Sequence, residues 1–130
     1  MVMLSDSAVR YAFMICSEKE HYKSGIYCAN REMREQVESI VKSLCELYSD
    51  SILRTRFSTS DTYVMFKNGS LIRICSASES SRGQKFNLLI FDKEINPNIL
   101  RVIISPSDIG DRLEYQRYHD EKENKKQFDT

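Results

Sequence analysis

The clearest hydrophobic pattern of the chain lies between Arg31 and about Tyr48. Its apolar residues recur every three or four positions, with two adjacent pairs, which places them on one face of an amphipathic helix. Asn30 directly precedes this stretch and suits an N-cap, because its side chain can accept a hydrogen bond from a free N–H of the first turn. Core packing is the ordinary use of such a face, and partner binding is the alternative. The apolar residues are Met33, Val37, Ile40, Val41, Leu44, Leu47 and Tyr48.

Five further stretches are rich in apolar, β-branched and aromatic residues and predict β-strands. The stretch that ends at Asp92 contains four consecutive apolar residues, Leu88 to Phe91, as strands buried on both faces do, and predicts a strand at the centre of the sheet. The stretch from Ile52 alternates apolar and polar residues, which predicts a strand with one solvent-facing side. The five stretches are residues 7–17, 26–29, 52–58, 85–92 and 99–105.

Residues 62–76 read "TYVMFKNGSLIRICS" and predict a β-hairpin. Two apolar runs flank Asn68-Gly69, the pair best suited to a type I′ turn, because both central positions of that turn need a positive φ. Asn68, Gly69 and Ser70 also match a glycosylation acceptor, but the turn is sufficient to explain them.

The order of these elements predicts an α/β or α+β fold: a single layered domain, with a mixed sheet and one main amphipathic helix packed on a face. We expect this domain to span residues 1–110. Residues 111–130 have few apolar positions and dense mixed charge, which predicts a flexible C-terminal tail.

The overall charge gives no general case for nucleic-acid or membrane binding, because 19 basic residues balance 19 acidic ones among 130. A local basic patch stays compatible with this balance. No apolar run approaches the roughly 18 residues of a membrane span, and the N-terminus lacks the basic and apolar regions of a signal peptide. We therefore expect a cytoplasmic protein without membrane contact.

The four cysteines predict reduced thiols in the core, because each lies in an apolar stretch and none forms a CxxC pair. A zinc site would need about four clustered ligands. The only histidines, His21 and His119, are far apart, so zinc is not expected. The cysteines are Cys16, Cys28, Cys45 and Cys75.

Residues 26–95 carry three motifs in a fixed order. The strand and helix of "ANREMREQVESIVKSLCELY" come first, "YVMFKNGSLIRICSASESSRG" follows, and "FNLLIFDKE" comes last. This order resembles the second half of the ATPase core in phage large terminases and related RecA-like nucleic-acid motors. In that family a strand containing Asn-Gly-Ser precedes a loop ending in Arg-Gly and an apolar strand ending in Asp-Glu.

The resemblance implies that Asp92 holds a magnesium ion and that Arg82 and Gly83 match the family's Arg-Gly pair. A carboxylate at the carboxyl end of a central strand opens onto the ligand crevice of α/β sheets. Lys93 stands where the family has its catalytic glutamate, and Glu94 is displaced by one residue. Glu94 can serve only if the strand has already ended.

The chain lacks the phosphate-binding loop, GxxxxGK[ST], that phosphoryl transfer by this class requires. The first 25 residues are expected to be too few for the missing strand, loop and helix. We therefore expect a phage-related protein that is not catalytic alone and needs no cofactor. It would bind nucleic acid or a protein partner in the host cytoplasm, in a role related to DNA packaging.

Three arginines provide the candidate binding surface. Arg54 and Arg56 alternate along one predicted strand, and Arg73 lies on the hairpin near Tyr63. If they share a sheet face, they form a basic stripe with an aromatic ring, which suits single-stranded nucleic acid. A solvated face paired with acidic residues is the alternative. Arg82 is a further candidate for binding nucleic acid or a partner.

Two other functions fit the sequence. The first is a phage-encoded inhibitor or accessory protein, of the anti-defence type, that acts through a protein interface. The second is a metal-dependent nuclease that uses Asp92 and Glu94, since such enzymes place carboxylates and a lysine on a strand.

Overall fold

A computed structural model describes residues 2–59, 61–77 and 85–104 of the chain. The strands are Val2–Met3 (β1), Lys23–Cys28 (β2), Ile52–Phe57 (β3), Thr62–Phe66 (β4), Leu71–Ser76 (β5) and Leu88–Phe91 (β6). The helices are Asp6–Glu18 (α1), Arg31–Leu47 (α2) and Pro97–Ile99 (α3), with a 3₁₀ turn at Ser49–Ser51 and a π-helical turn at Leu100–Ile104. The predicted tail and the residue 110 boundary lie outside this part of the chain.

The six strands form one mixed sheet in the order β1-β6-β2-β5-β4-β3. Strands β1, β6, β2 and β5 run parallel, and β3, β4 and β5 form an antiparallel meander. This architecture confirms the predicted α/β class with a mixed sheet. The run that ends at Asp92 is an inner strand, β6, but the two strands at the centre of the sheet are β2 and β5.

Helix α1 replaces the strand predicted at residues 7–17, and that prediction was wrong. The β-branched and aromatic residues of this stretch suggested a strand, yet its buried positions follow the helical spacing of three to four residues. Ser5 caps the helix, because its Oγ accepts a hydrogen bond of 3.1 Å from the Ala8 N–H. The buried residues are Ala8, Val9, Tyr11, Ala12, Phe13, Ile15 and Cys16.

Helices α1 and α2 pack side by side on the same face of the sheet, so the expectation of one main helix was incomplete. The α2 prediction is confirmed, including its cap: Asn30 Oδ1 accepts a hydrogen bond of 2.9 Å from the Met33 N–H. Val37, Val41 and Leu44 turn toward the strands and are buried, whereas Leu47 at the end of the stripe is 74 % exposed. The stripe is therefore a core-packing face.

The opposite face of the sheet carries a smaller core under α3 and the π-helical turn. The strand predicted at residues 99–105 was wrong, because residues 97–104 are helical. Asn96 begins the turn by accepting a hydrogen bond of 2.8 Å from the Asn98 N–H, and Pro97 fits the first helical position. The buried residues of this core are Tyr27, Cys75, Phe86, Leu89, Ile95 and Ile104.

The predicted hairpin is confirmed as β4 and β5, but its turn is not type I′. Gly69 has a φ of 87°, whereas Asn68 does not have a positive φ. A Cβ atom at residue 69 would collide with the imidazole ring of His21. Glycine is thus required at this position by the backbone conformation and by the neighbouring ring.

The side chains of this turn bind the end of helix α1. Asn68 Nδ2 donates hydrogen bonds of 2.8 Å to the Cys16 carbonyl and 3.1 Å to the Lys19 carbonyl. Ser70 Oγ donates to the Lys19 carbonyl and accepts a hydrogen bond of 3.0 Å from the Tyr22 N–H. The Asn-Gly-Ser motif therefore joins the hairpin to the C-terminus of α1, where helix carbonyls lack intrahelical partners.

We expect Asn68→Ala to lower the free energy of unfolding by about 1–3 kcal/mol, because it removes the donor of two carbonyls at the helix end. Urea unfolding of both proteins measures the difference. Lys67→Ala is the control, since Lys67 is an exposed neighbour in the same turn and its replacement should change stability by less than about 0.5 kcal/mol. Equal stabilities for the two variants would contradict the role of the Asn68 amide.

Candidate functional site

The carboxyl ends of the four parallel strands meet at one edge of the sheet. From β2 the chain continues into α2 on one face, and from β6 it continues toward α3 on the other. Ligand crevices of α/β sheets form where neighbouring strands lead to opposite faces. Asp92, the predicted magnesium ligand, lies at this position.

Asp92 is only 2 % exposed, and its carboxylate binds the backbone of two chain segments. Oδ2 accepts a hydrogen bond of 3.2 Å from the Ala29 N–H, and Oδ1 accepts one of 3.1 Å from the Glu94 N–H. The carboxylate thereby ties the exit of β2 to the exit of β6. These hydrogen bonds account for the buried carboxylate without a metal ion, so its magnesium role stays a prediction from the resemblance.

The residues after Asp92 have left the strand. Lys93 and Glu94 lie in a turn, and both side chains are exposed. Because the strand has ended before Glu94, the alternation of side chains along a strand does not set the direction of its side chain. The Glu94 side chain nevertheless does not share a buried site with Asp92. Within residues 2–59, 61–77 and 85–104, no group of three histidine, cysteine or acidic side chains is arranged to hold a metal ion. Arg82 and Gly83 lie outside the described residues.

The N-terminal segment does contain a strand, a turn and a helix, so the expectation that it was too short was wrong. The Leu4 N–H donates a hydrogen bond of 2.7 Å to the Phe91 carbonyl, which places the turn between β1 and α1 next to Asp92. This turn is Leu4-Ser5 and lacks the glycines and lysine of a phosphate-binding loop. Asp6 adds a carboxylate to the first helical turn, where it repels a phosphate.

A cleft of about 560 Å³ opens beside the carboxyl ends of β2 and β5. Helix α2 forms one wall, and residues 57–59 form the other. Arg34 lies in this cleft, and its side chain is 14 % exposed. The cleft therefore has a largely buried cation among its lining residues.

Arg34 links four segments of the chain. Its Nε donates a hydrogen bond of 3.3 Å to Glu38 Oε1, and a terminal nitrogen donates one of 3.1 Å to Ser76 Oγ. The other terminal nitrogen donates hydrogen bonds of 3.0 Å to Thr62 Oγ1 and 3.3 Å to the Ser58 carbonyl. These hydrogen bonds connect the Arg34 guanidinium to α2, the β3–β4 connection, β4 and β5. The role of Arg34 is therefore structural.

Sequence reasoning missed Arg34, although a signal was present. Arg34 lies three residues before Val37 and seven before Val41, so it continues the apolar stripe of α2 by one turn. An arginine on the core-facing stripe of a helix needs buried partners. Such a position distinguishes Arg34 from Arg31, whose side chain is 86 % exposed.

The cysteines in the described residues are free thiols, as predicted. Cys16, Cys28 and Cys75 are buried, and burial raises the pKa of each thiol to about 12. For Cys28, the nearby Asp92 carboxylate contributes to this rise in pKa after burial. Cys45 is half-buried, and burial raises its pKa as well. The thiols are protonated at neutral pH and are poor nucleophiles and metal ligands.

The predicted arginines do share one sheet face. Arg56 pairs with Tyr63 across β3 and β4, and Tyr63 pairs with Arg73 across β4 and β5. Arg54 lies two residues before Arg56 and pairs with Met65. Val64 and Phe66 of β4 point into the core under α1 and α2, so the alternate residues Tyr63 and Met65 face the other way.

Lys23 extends this surface onto β2, and no local sequence pattern indicates it. Lys23 pairs with Leu71, and Leu71 pairs with Met65, so Lys23 lies in the same cross-strand row as Arg54. Its side chain is exposed. We define the basic face as Lys23, Arg54, Arg56, Tyr63 and Arg73.

Asp61 is the counter-ion of the basic face. Its Oδ1 lies 3.4 Å from a terminal nitrogen of Arg73, and its Oδ2 lies 3.9 Å from one of Arg56. The Arg73 guanidinium also lies over the Tyr63 ring, with 5.8 Å between its Cζ and the ring centroid. Among the described residues, Asp61 pairs with two of the four basic residues of the face, so Asp61 and the basic face together carry a net positive charge.

Comparisons with family models, with curated proteins and with solved structures find no match for this chain. The relationship to terminases therefore stays a prediction from the sequence motifs. Among the described residues, no helix has both the length and the apolar character needed to cross a bilayer.

Proposed function

We propose that this protein binds single-stranded nucleic acid through the basic face. The observation that carries the proposal is the in-register row Arg56–Tyr63–Arg73, which places an aromatic ring between two guanidinium groups on an exposed sheet surface. Guanidinium groups bind phosphates, and an aromatic ring stacks on any base. The combination favours a strand whose bases are unpaired.

The dimensions of the sheet support this ligand. Neighbouring strands lie about 4.8 Å apart, so Arg56 and Arg73 are separated by about 10 Å at their backbones with Tyr63 midway. Lys23 and Arg54 form a second row on the same face. An extended polyanion can contact both rows.

Several features favour binding without catalysis by this chain alone. The turn beside Asp92 is Leu4-Ser5, which lacks phosphate-binding chemistry, and both Asp92 oxygens accept backbone hydrogen bonds. The resemblance of residues 26–95 to nucleic-acid motors favours the same class of ligand. We place this binding in the cytoplasm, and in that of the host if the chain is phage-encoded, within DNA packaging.

Charge removal tests the proposal. We expect the double variant Arg54→Gln/Arg56→Gln to bind a labelled oligothymidylate of about 12 nucleotides at least tenfold more weakly than the unchanged protein. The slope of log affinity against log salt should fall by about 0.7 for each phosphate that the variant no longer neutralises. Fluorescence anisotropy over a salt series measures both quantities.

The double variant Arg10→Gln/Arg31→Gln is the matched control. It removes the same two charges from exposed positions on α1 and α2, which cover the other face of the sheet. Affinity should stay within about twofold. Equally weakened binding in the two double variants would show attraction without a defined surface and would contradict the proposal.

Variants of Tyr63 separate nucleic acid from other polyanions. Tyr63→Phe keeps the stacking ring and should bind normally, whereas Tyr63→Leu should lose the stacking of one base, about 1–3 kcal/mol. Heparin offers charge without bases, so its binding should be indifferent to both variants. If Tyr63→Leu weakened the binding of heparin and of the oligonucleotide equally, an acidic protein partner would be favoured instead.

A further inference from the structure

We infer that Asp61 occupies a phosphate-binding position between Arg56 and Arg73, and that nucleic acid binds by displacing this carboxylate. The inference rests on the proposed function and adds to it where one phosphate binds and which residue competes for that position. It begins from the geometry of the two arginines, which belong to β3 and β5 and are separated by β4.

Two guanidinium groups from separate strands converge on one anion. Arg73 lies 3.4 Å from Oδ1 of Asp61, and Arg56 lies 3.9 Å from Oδ2. Each carboxylate oxygen therefore faces a different arginine. A phosphate has the same need for donors around its oxygens and a larger spread of oxygen atoms, so the pair of guanidinium groups suits it at least as well.

The backbone of Asp61 is held independently of its carboxylate. The Asp61 N–H donates a hydrogen bond of 3.0 Å to Ser58 Oγ, which in turn donates one of 2.7 Å to the Asp61 carbonyl. The Ser58 N–H also donates to that carbonyl, over 3.2 Å. The carboxylate can leave the arginines by side-chain rotation, with these backbone hydrogen bonds intact.

The two ion pairs are of the weak kind. Asp61 is 32 % exposed, and Arg56 and Arg73 are 58 % and 37 % exposed. Exposed ion pairs at such distances contribute little to the free energy of folding, because water screens the attraction between the charges. A phosphate of a polyanionic strand releases counterions when it binds, which adds a driving force that Asp61 lacks. Displacement of Asp61 is therefore favourable. Because its two ion pairs must break, nucleic acid binds more weakly than it would without Asp61.

The test is the affinity of Asp61→Asn for the same oligothymidylate. We expect it to bind about three- to tenfold more tightly than the unchanged protein, since a competing charge is gone. The salt slope should stay the same, because the same phosphate lies between the two arginines in both proteins and only the competing carboxylate has been removed. Glu35→Gln is the matched control: it removes one negative charge and frees exposed Arg31 on α2, and affinity should stay within about twofold.

The outcomes separate this inference from the proposed function. If the unchanged protein binds through the basic face but Asp61→Asn binds no more tightly, Asp61 does not compete with phosphate and the inference alone fails. If neither protein binds the oligonucleotide, the proposed function fails with it. In an Arg56→Gln/Arg73→Gln background the tighter binding caused by Asp61→Asn should vanish, and its persistence would overturn the assignment of the phosphate to these two arginines.

Discussion

Replacing Asp92 with alanine is expected to lower the free energy of unfolding by about 3–5 kcal/mol. The change removes the acceptor of the Ala29 and Glu94 N–H groups, and the carboxylate that accepts them is buried. A donor left without an acceptor away from water costs about 1–3 kcal/mol. Two such donors, one after β2 and one after β6, give about 2–6 kcal/mol, and the expected loss lies in the middle of this range. Urea unfolding measures it.

The control is Glu94→Ala, which removes an exposed carboxylate two residues away and should change stability by less than about 0.5 kcal/mol. Asp92→Asn should fall between the two, because its amide oxygen can still accept one of the two hydrogen bonds. Unfolding in the presence of magnesium adds a second readout. A magnesium-dependent increase in stability that Asp92→Asn abolishes would support the ion-binding role over the backbone-linking role.

Arg34→Ala is expected to lower the free energy of unfolding by about 2–4 kcal/mol. The variant removes all four hydrogen bonds of the guanidinium and leaves Glu38, which is 22 % exposed, without its cationic partner. Arg34→Lys should recover only part of the stability, because one ammonium group cannot reproduce a planar fork of five donors. Thermal or urea unfolding of the three proteins gives the comparison.

Arg31→Ala is a control on the same helix. Arg31 and Arg34 each donate from Nε to a glutamate four residues later, over 3.2 Å and 3.3 Å. They differ in exposure, 86 % against 14 %. Exposed pairs of this spacing contribute about 0.3–0.5 kcal/mol, so Arg31→Ala should be nearly neutral. Similar destabilisation by the two alanine variants would show that burial does not set the strength of the Arg34 hydrogen bonds.

Local patterns predicted the elements whose sequence signals agree with one another. Helix α2 has a cap, a stripe and a length that all indicate a helix, and the hairpin has two apolar runs around Asn68-Gly69. Helix α1 was missed because its valine, tyrosine, phenylalanine and isoleucine content favours strands, while its burial on the sheet favours a helix. Packing against the sheet stabilises α1 as a helix. Counting the three- to four-residue spacing of its apolar positions would have predicted that helix from the sequence.

The basic face could be predicted in part, because local sequence patterns agree with one another there as well. Alternation along β3 and the hairpin register together place Arg54, Arg56 and Arg73 on one side. Lys23 and Asp61 could not be assigned from the sequence. Lys23 joins the face because β2 pairs with β5, whose partner residue Leu71 is far along the chain. Asp61 approaches the arginines through a connection whose course no local pattern encodes.

The position of β2 has a consequence for synthesis of the protein on the ribosome. Both neighbours of β2, namely β5 and β6, follow it by more than 40 residues. A nascent chain that ends near residue 50 therefore carries β2 without either partner and the apolar stripes of both large helices without a completed sheet. Exposed edges and stripes of this kind aggregate and bind chaperones. We expect fragments truncated before β5 to be insoluble, and translation speed between residues 50 and 90 to influence the yield of folded protein.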